Sequence, residues 1–223
     1  MSACERFRAG CAPVWASLHA HPFIRELAAG TLPPEKFRFY IEQNLMYLPE
    51  YARAMAIGVS KADDLETMAL FAGDLVNILE NEIPENRELL ARVTARGAED
   101  RGGSHEMAPA NLAYTSFLVA TALQHGPLEI MAAIVPCTWS YGDIASELGV
   151  AEHPVYAEWV RFFGSAEYTE LIGEMRARFD AMTAGLGEAV LDRLSSFFTA
   201  STRLELAFWN MAYELEQWPD LRN

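Results

Sequence analysis

The sequence of 223 residues predicts an all-α protein. Apolar residues recur at the spacing of a helix face, and no segment alternates Val, Ile or Thr with polar residues as a half-buried strand would. No linker rich in Gly, Pro or Ser divides the chain, so we expect one helical domain over residues 1–223. The clearest apolar stripe is Leu65, Met68, Ala69, Ala72, Leu75, Val76 and Leu79.

Local signals place the helices in order along the chain. Thr31 and Pro33 mark the start of a helix that runs through Leu48, because proline suits the first turn. Pro49 is expected to kink this helix, since it lacks the N–H donor. Ala62-Asp63-Asp64 is expected to supply capping residues for the helix that carries the apolar stripe. Residues 97–109 are predicted to form a loop. The remaining helices are predicted at 4–18, 22–29, 109–125, 127–147, 153–163, 165–185 and 187–217.

Composition narrows the class of protein. The formal net charge of −14 repels phosphate backbones and anionic headgroups, so we expect no nucleic-acid partner and no docking on an acidic membrane. No stretch of about 18 apolar residues predicts a membrane span. Three cysteines do not suggest a disulfide framework, and the first residues lack the apolar core of a signal peptide. We therefore expect reduced thiols and a cytoplasmic location.

Common metal, phosphate and hydrolase motifs are missing. None of the five histidines follows a glutamate by three residues, as the di-iron sites of helical bundles require, and no Cys/His cluster has zinc spacing. Glycine-rich phosphate loops and the Gly-x-Ser-x-Gly elbow of serine hydrolases are also absent. We predict neither a metal nor a cofactor.

Cys137 stands between an apolar helical segment and an aromatic pair. Cys137 and Tyr141 are four residues apart, so they share a helix face. A lone cysteine is more often a small buried hydrophobe than a nucleophile, and composition alone favours that interpretation.

Glu205 lies on the apolar stripe of the last long helix. Burial there should raise the pKa of its carboxyl group, which suits general acid–base chemistry. A structural glutamate held by a Tyr, Trp or Arg partner explains the position equally well. The stripe consists of Val190, Leu194, Phe197, Phe198, Ser201, Glu205 and Phe208.

Asn44 and Tyr47 are three residues apart and can present an amide and a ring to one pocket. By themselves they fit an ordinary amphipathic helix equally well.

Together these patches form a recognisable set. The matching stretches, spread over nearly the whole chain, are His21-Pro22-Phe23, Gly30-Thr31-Leu32-Pro33, Phe37 with Tyr40, Gln43-Asn44 with Tyr47-Leu48, Ala113-Tyr114-Thr115, Pro136-Cys137-Thr138-Trp139-Ser140-Tyr141, Tyr156 with Trp159, and Glu205-Leu206-Ala207-Phe208-Trp209. In this combination and order the chain resembles the TenA/thiaminase II family.

The resemblance implies a haem-oxygenase-like helical bundle, usually assembled as a homotetramer, that binds a thiamin-related pyrimidine and needs no cofactor. It implies hydrolysis of aminomethylpyrimidine, or of thiamin, to hydroxymethylpyrimidine. Cys137 would add to the pyrimidine ring as a thiolate, and Glu205 would protonate the leaving amine and then deprotonate water.

The other implied roles concern binding. Phe208, Tyr47 and Tyr141 would sandwich the flat ring, because aromatic side chains stack on heterocycles. Tyr114 would contribute a hydroxyl group to the same site.

The chain departs from the family pattern at two positions. The family usually has aspartate at the position of Asn44, where it grips the 4-amino group, and tyrosine at the position aligned with Phe163. Asparagine can still pair with the 4-amino group, but it supplies no negative charge, so the activation of the pyrimidine ring should weaken. If the Asn44 amide were flipped, it would instead suit a 4-oxo pyrimidine.

The same residues leave open three alternatives to a pyrimidine hydrolase. The first, favoured by Asn44 and Phe163, is a non-catalytic pyrimidine-binding protein of the same fold. The second is a haem or metal oxygenase on that fold, and the third is an assembly protein without a ligand.

Overall fold

The computed structural model describes residues 1–95 and 106–219, and these residues contain helices and no β-strand. The all-α prediction is therefore confirmed. Of the predicted loop at 97–109, residues 97–105 lie outside the described part. The elements are α1 Ala3–Gly10, α2 Ala12–His19, α3 Pro22–Ala28, α4 Pro34–Lys61, α5 Leu65–Asn77, a π-helical turn Ile78–Glu82, α6 Ile83–Ala95, α7 Pro109–Gln124, α8 Pro127–Leu148, α9 Pro154–Phe163, α10 Ala166–Thr183 and α11 Glu188–Glu214.

Helices α4, α8 and α11 form the centre of the molecule. Helix α11 packs along α8, α4 packs against α5, α6 and α7, and α10 covers α8 from the other side. Their facing sides are apolar and aromatic, with Tyr40, Trp139 and Trp209 almost completely buried. No helix in the described part of the chain combines the length and apolar character that a membrane crossing requires.

Side chains at the helix ends explain where several elements begin. The carboxylate of Asp64 accepts a hydrogen bond from the Thr67 N–H at 2.8 Å, as predicted for the start of α5. The Lys61 ammonium group donates to three carbonyl groups at the end of α7, where unpaired carbonyls and the helix dipole favour a cation. These caps fix the ends of α4, α5 and α7 relative to one another.

The predicted helix at 4–18 is wrong in one respect, because the structure divides it into α1 and α2 at Cys11. Pro13 lacks the N–H that would bond to the carbonyl of Ala9, so a continuous helix would lose that bond. The helix predicted through Leu48, by contrast, continues past Pro49 to Lys61.

The sequence did not predict α6 at all. Its first turns are rich in Glu and Asn and contain Pro84, so the apolar period is visible only at Leu89 and Val93, which are buried.

Helix α5 buries a different face from the one that carries its apolar stripe. Its buried side chains are Thr67, Phe71 and Asp74, whereas Leu65 and Val76 are 81% and 49% exposed. The inward face is thus partly polar, and it brings Asp74 into the interior.

Gly58 sets the distance between α4 and α5. A Cβ at this position would lie 2.9 Å from the ring of the buried Phe71. We expect Gly58→Ala to lower the free energy of unfolding by about 1–3 kcal/mol, because the ring must move within a packed core. Urea denaturation measures the change.

Gly73→Ala is the matched control for this prediction. Nothing lies within 4 Å of a Cβ at Gly73, so the change should stabilise α5 by about 0.5–1 kcal/mol through helix propensity. Equal effects of the two substitutions would contradict the packing explanation.

Candidate active site

An interior pocket lies between the long helices. All eight site residues predicted from the sequence line it: Asn44, Tyr47, Tyr114, Cys137, Tyr141, Phe163, Glu205 and Phe208. The sequence did not point to seven further lining residues: Leu48, Tyr51, Asp74, Asn77, Glu82, Thr138 and Tyr168. The fold thus brings Cys137 and Glu205, which are distant in sequence, to one cavity.

Cys137 projects from the middle of α8, directly after Pro136. The phenol of Tyr47 lies 3.8 Å from its sulfur and donates a weak hydrogen bond to it. Burial raises the pKa of the Cys137 thiol well above its ordinary value, and the carboxyl groups of Glu205 and Glu82 raise it further. The resting side chain is therefore a thiol, and a thiolate forms only if a neighbouring base removes its proton.

Glu205 lies on α11 with only 1% of its surface exposed. Its Oε2 atom has no hydrogen-bond partner within the described residues. Burial raises the pKa of Glu205 to about 7, although the nearby Tyr114, Cys137 and Tyr141 partly oppose the shift. A carboxyl group with this pKa can accept or donate a proton near neutral pH.

Two hydrogen-bond chains hold the tyrosines of the pocket. The Ser201 hydroxyl donates to the carbonyl of Ala133, which leaves its oxygen to accept from the phenol of Tyr114 at 3.1 Å. On the other side, the Trp159 N–H donates to the phenol oxygen of Tyr40 at 3.1 Å, and the Tyr40 phenol donates to that of Tyr141 at 3.5 Å.

The amide of Asn44 has a fixed direction. Asn86 donates its Nδ2 hydrogen to the backbone carbonyl of Glu82 at 2.8 Å, so its Oδ1 faces Asn44 and accepts from Asn44 Nδ2 at 3.1 Å. The Oδ1 atom of Asn44 makes no hydrogen bond within the described residues and is available as an acceptor. A flipped Asn44 amide, which a 4-oxo pyrimidine would need, would lose the bond to Asn86.

Aromatic rings form much of the pocket wall. The ring centroid of Tyr47 lies 5.6 Å from that of Phe208 and 5.1 Å from that of Tyr114. Tyr141 contacts Phe163 at 4.8 Å. Phe163 brings no hydroxyl group, but Tyr168 lies against its ring and also lines the pocket, so α10 supplies a phenol in this region.

Asp74 and Glu82 add two carboxyl groups to the cavity. The phenol of Tyr51 donates to Asp74 Oδ2 at 3.1 Å and lies 3.2 Å from the Thr138 hydroxyl. Burial raises the pKa of Asp74 to about 7 and that of Glu82 to about 8, and the charges of Asp74 and Glu205 also contribute to the shift of Glu82. The i, i+4, i+7 spacing of Thr67, Phe71 and Asp74 is the sequence signal that could have identified the inward face of α5.

The sequence profile of the TENA/THI-4/PQQC family matches residues 8–215. The chain belongs to this family. Within the TENA/THI-4/PQQC family, it is 35% identical to an aminopyrimidine aminohydrolase of Halalkalibacterium halodurans over 210 residues, which cover 92% of this chain and 93% of the relative. It is 31% identical to an aminopyrimidine aminohydrolase of Helicobacter pylori over 205 residues, which cover 90% and 94%. The TenA/thiaminase II resemblance is thereby confirmed.

Solved structures agree with the TENA/THI-4/PQQC assignment. A TenA homologue from P. horikoshii OT3 superimposes with a TM-score of 0.85 at 31% identity, covering 96% of this chain and 99% of that one. A domain with a heme oxygenase-like fold from Shewanella denitrificans OS217 superimposes with a TM-score of 0.64 at 13% identity, covering 95% and 92%. The second likeness concerns the fold alone and confirms the predicted haem-oxygenase-like bundle.

The buried carboxyl of Glu205 makes stability depend on pH. Its pKa rises from the ordinary 4.5 to about 7 on folding, so its stabilising contribution is complete below pH 4.5 and is lost as the pH rises through 7. We expect Glu205→Gln, which cannot ionise, to exceed the wild type in free energy of unfolding by ~3 kcal/mol at pH 8 and by much less at pH 5.

Urea denaturation at both pH values measures this difference. Glu174→Gln is the control, because it removes the same charge from an exposed position. A gain for Glu205→Gln that stays the same at pH 5 and pH 8 would contradict the assignment.

Proposed function

We propose that this chain is a hydrolase that cleaves the exocyclic CH2–N bond of a thiamin-related aminopyrimidine. The observation that carries the proposal is the presence of Cys137 and Glu205 in one pocket walled by aromatic rings. The relatives named aminopyrimidine aminohydrolase support the same reaction. The proposed chemistry needs water and no cofactor.

Glu205 and Cys137 share the chemistry. Glu205 accepts the thiol proton, and the Cys137 sulfur forms a bond to an electron-poor carbon of the pyrimidine ring. The broken aromaticity lets the electrons of the ring expel the amine from the exocyclic carbon, and Glu205 returns its proton to the departing nitrogen. Glu205 then removes a proton from water, and the hydroxyl adds to the exocyclic carbon. The sulfur leaves as a thiolate, which restores the aromatic ring, and Glu205 returns the proton to it so that the thiol and the carboxylate are regenerated. The pKa of about 7 suits both directions of proton transfer.

Asn44 determines which pyrimidine fits. Because Asn86 holds its Nδ2, the Oδ1 atom is the group available for the ring edge, and an acceptor pairs with a 4-amino group rather than with a 4-oxo group. A neutral amide does not stabilise a protonated ring as a carboxylate does, so the thiolate adds to a less activated ring. We infer a 4-aminopyrimidine substrate that is turned over more slowly than a carboxylate at residue 44 would allow.

The aromatic side chains hold the ring in place. Tyr47 and Phe208 contact one another on one side of the pocket, and Tyr141 with Phe163 forms a second side. A flat heterocycle between these groups gains stacking contacts that do not depend on its substituents. Tyr114, whose proton is committed to Ser201, offers its oxygen as an acceptor to a protonated Glu205 or to the ligand.

Assembly, compartment and domain organisation belong to the same proposal. We infer a homotetramer. The apolar Leu65 and Val76 on the surface of α5 and Leu79 on the adjoining π-helical turn support it, since such side chains favour an interface. Three unpaired cysteines support a reducing cytoplasm. One core cluster extends from α1 to α11, which supports one domain over residues 1–223.

Cys137→Ala tests the nucleophile. With aminomethylpyrimidine as substrate and mass spectrometry of the hydroxymethyl product, kcat/KM should fall by at least about a thousandfold, because no other group in the pocket can form the covalent bond. Cys11→Ala is the matched control, because Cys11 is a buried thiol that bonds to Thr202 outside the pocket.

Two results would change the proposal. Product formation by Cys137→Ala at the wild-type rate would exclude the covalent step. Binding of the pyrimidine to the folded wild-type protein without turnover would indicate the non-catalytic binding protein instead.

Asn44→Asp tests the role of the amide. We expect kcat/KM for aminomethylpyrimidine to rise about tenfold, because a charged acceptor strengthens the bond to the amino group and favours the activated ring. Asn86 can turn its amide to donate to the new carboxylate. Gln217→Glu, at an exposed position beyond the end of α11, makes the same charge change away from the pocket and should leave kcat/KM unaltered. Equal efficiency of wild type and Asn44→Asp would contradict the proposed role.

Light scattering after size-exclusion chromatography tests the assembly. For a tetramer of the 24.8 kDa chain, the molar mass from light scattering should be about four times that of the chain. Val76→Glu should lower the measured mass, because it places a charge in the proposed interface between subunits. Gln217→Glu adds a charge elsewhere and is the control. A monomer at high protein concentration would contradict the proposed tetramer.

A further inference from the structure

The pocket holds more carboxyl groups than the proposed reaction uses. Besides Glu205 it contains Asp74 and Glu82, and no lysine, arginine or histidine is among its described lining residues. The carboxyl group of Glu82 makes no hydrogen bond within the described residues, and Asp74 bonds only through Oδ2 to Tyr51. Buried carboxyl groups without cationic partners are unfavourable unless a ligand neutralises them.

The carboxyl groups lie in a row beside α4. Asp74, Glu82 and Asn86 belong to one continuous helical path, and Asn86 contacts Asn44 whereas Asp74 contacts Tyr51. The π-helical turn Ile78–Glu82 makes this alignment possible, because its wider turn shifts the phase of the helix. The row therefore runs antiparallel to the Asn44–Tyr51 stretch of α4.

Cys137 lies between the two ends of this row. Asn44 and Tyr51 are seven residues apart on α4, or about 10 Å along the axis. Tyr47, which lies between them, contacts the Cys137 sulfur, and Tyr51 contacts Thr138, the next residue on α8. A ring bound beside Asn44 would thus point its substituent past the sulfur toward Asp74 and Glu82.

We propose that Asp74 and Glu82 form a cation subsite that binds the positively charged nitrogen substituent of the pyrimidine. This inference rests on the proposed function, because it assumes that the ring binds beside Asn44. The matching chemistry is a cationic nitrogen on the exocyclic carbon, either the ammonium group that the amine becomes on accepting the proton of Glu205 or a quaternary ring nitrogen. The buried, unpartnered Oε2 of Glu205 is an independent sign that a ligand group completes this cavity.

An inorganic cation fits the arrangement less well. Within residues 1–95 and 106–219, no three His, Cys, Asp or Glu side chains are grouped closely enough to hold a metal ion. The carboxyl groups are instead spread along the wall, as an extended organic cation requires.

Calorimetric binding in the Cys137→Ala background tests the subsite without turnover. The probes are aminomethylpyrimidine, thiamin and the uncharged hydroxymethylpyrimidine. In the isosteric double variant Asp74→Asn, Glu82→Gln, we expect Kd for at least one of the two cations to rise about tenfold or more, and Kd for hydroxymethylpyrimidine to change less than twofold. Asparagine can still accept from Tyr51, and thermal unfolding checks that the variant is folded.

Glu80→Gln is the matched control, since Glu80 is an exposed carboxylate on the same π-helical turn. It should change none of the three affinities. Equal weakening of charged and uncharged ligands in the double variant, or no weakening at all, would overturn the subsite.

The same titrations separate this inference from the proposed function. Suppose that the protein with Asp74 and Glu82 intact binds hydroxymethylpyrimidine, and that its affinity for the two cationic ligands is no higher. The subsite is then wrong and the proposed function stands. If the protein binds none of the three, the proposed function fails and the subsite fails with it.

Discussion

Glu205 is a carboxyl group enclosed by aromatic and apolar side chains, and no cationic side chain lines its cavity in the described part of the chain. Taking such a group out of water is unfavourable, so the surrounding helices must be packed well enough to hold it there. Helix α11 meets this demand along its whole inward face, where Phe198, Ser201 and Trp209 are buried against α8 and the aromatic core. The same enclosure brings the pKa of Glu205 close to neutrality. The stability of the fold and the reactivity of the site therefore depend on one buried group.

Helix α4 organises the opposite wall of the pocket. Three of its residues contact three different parts of the structure: Asn44 bonds to α6, Tyr47 reaches the sulfur of Cys137 on α8, and Tyr51 bonds to Asp74 on α5. Because these residues follow one another along a rigid helix, their spacing is set by helix geometry. The relative positions of the ring edge, the nucleophile and the acidic end are thus fixed before any ligand arrives.

The sequence predicted most of the fold because helical periodicity, proline starts and capping residues are local signals. It failed at α6, where polar residues around Pro84 hide a short apolar face, and at Cys11, where a single missing N–H divides a helix. The proximity of Cys137 to Glu205 could not follow from spacing, since it depends on how α8 and α11 pack. The sequence did not identify Asp74 as a residue of the pocket for a related reason. The apolar stripe of α5 indicates one inward face, whereas packing of Phe71 against Gly58 of α4 selects another.

Two adjacent residues of α4 hold both sides of the connection between α6 and α7. Asn44 bonds to Asn86 on α6, while Gln43 accepts from the backbone N–H of Ala108 and from Asn111 at the start of α7. One turn of α4 is therefore a common reference point for α6 and for the start of α7. A shift of either helix is transmitted through Gln43 or Asn44 to the polar edge of the pocket, so the alignment of both helices is read out at a single place.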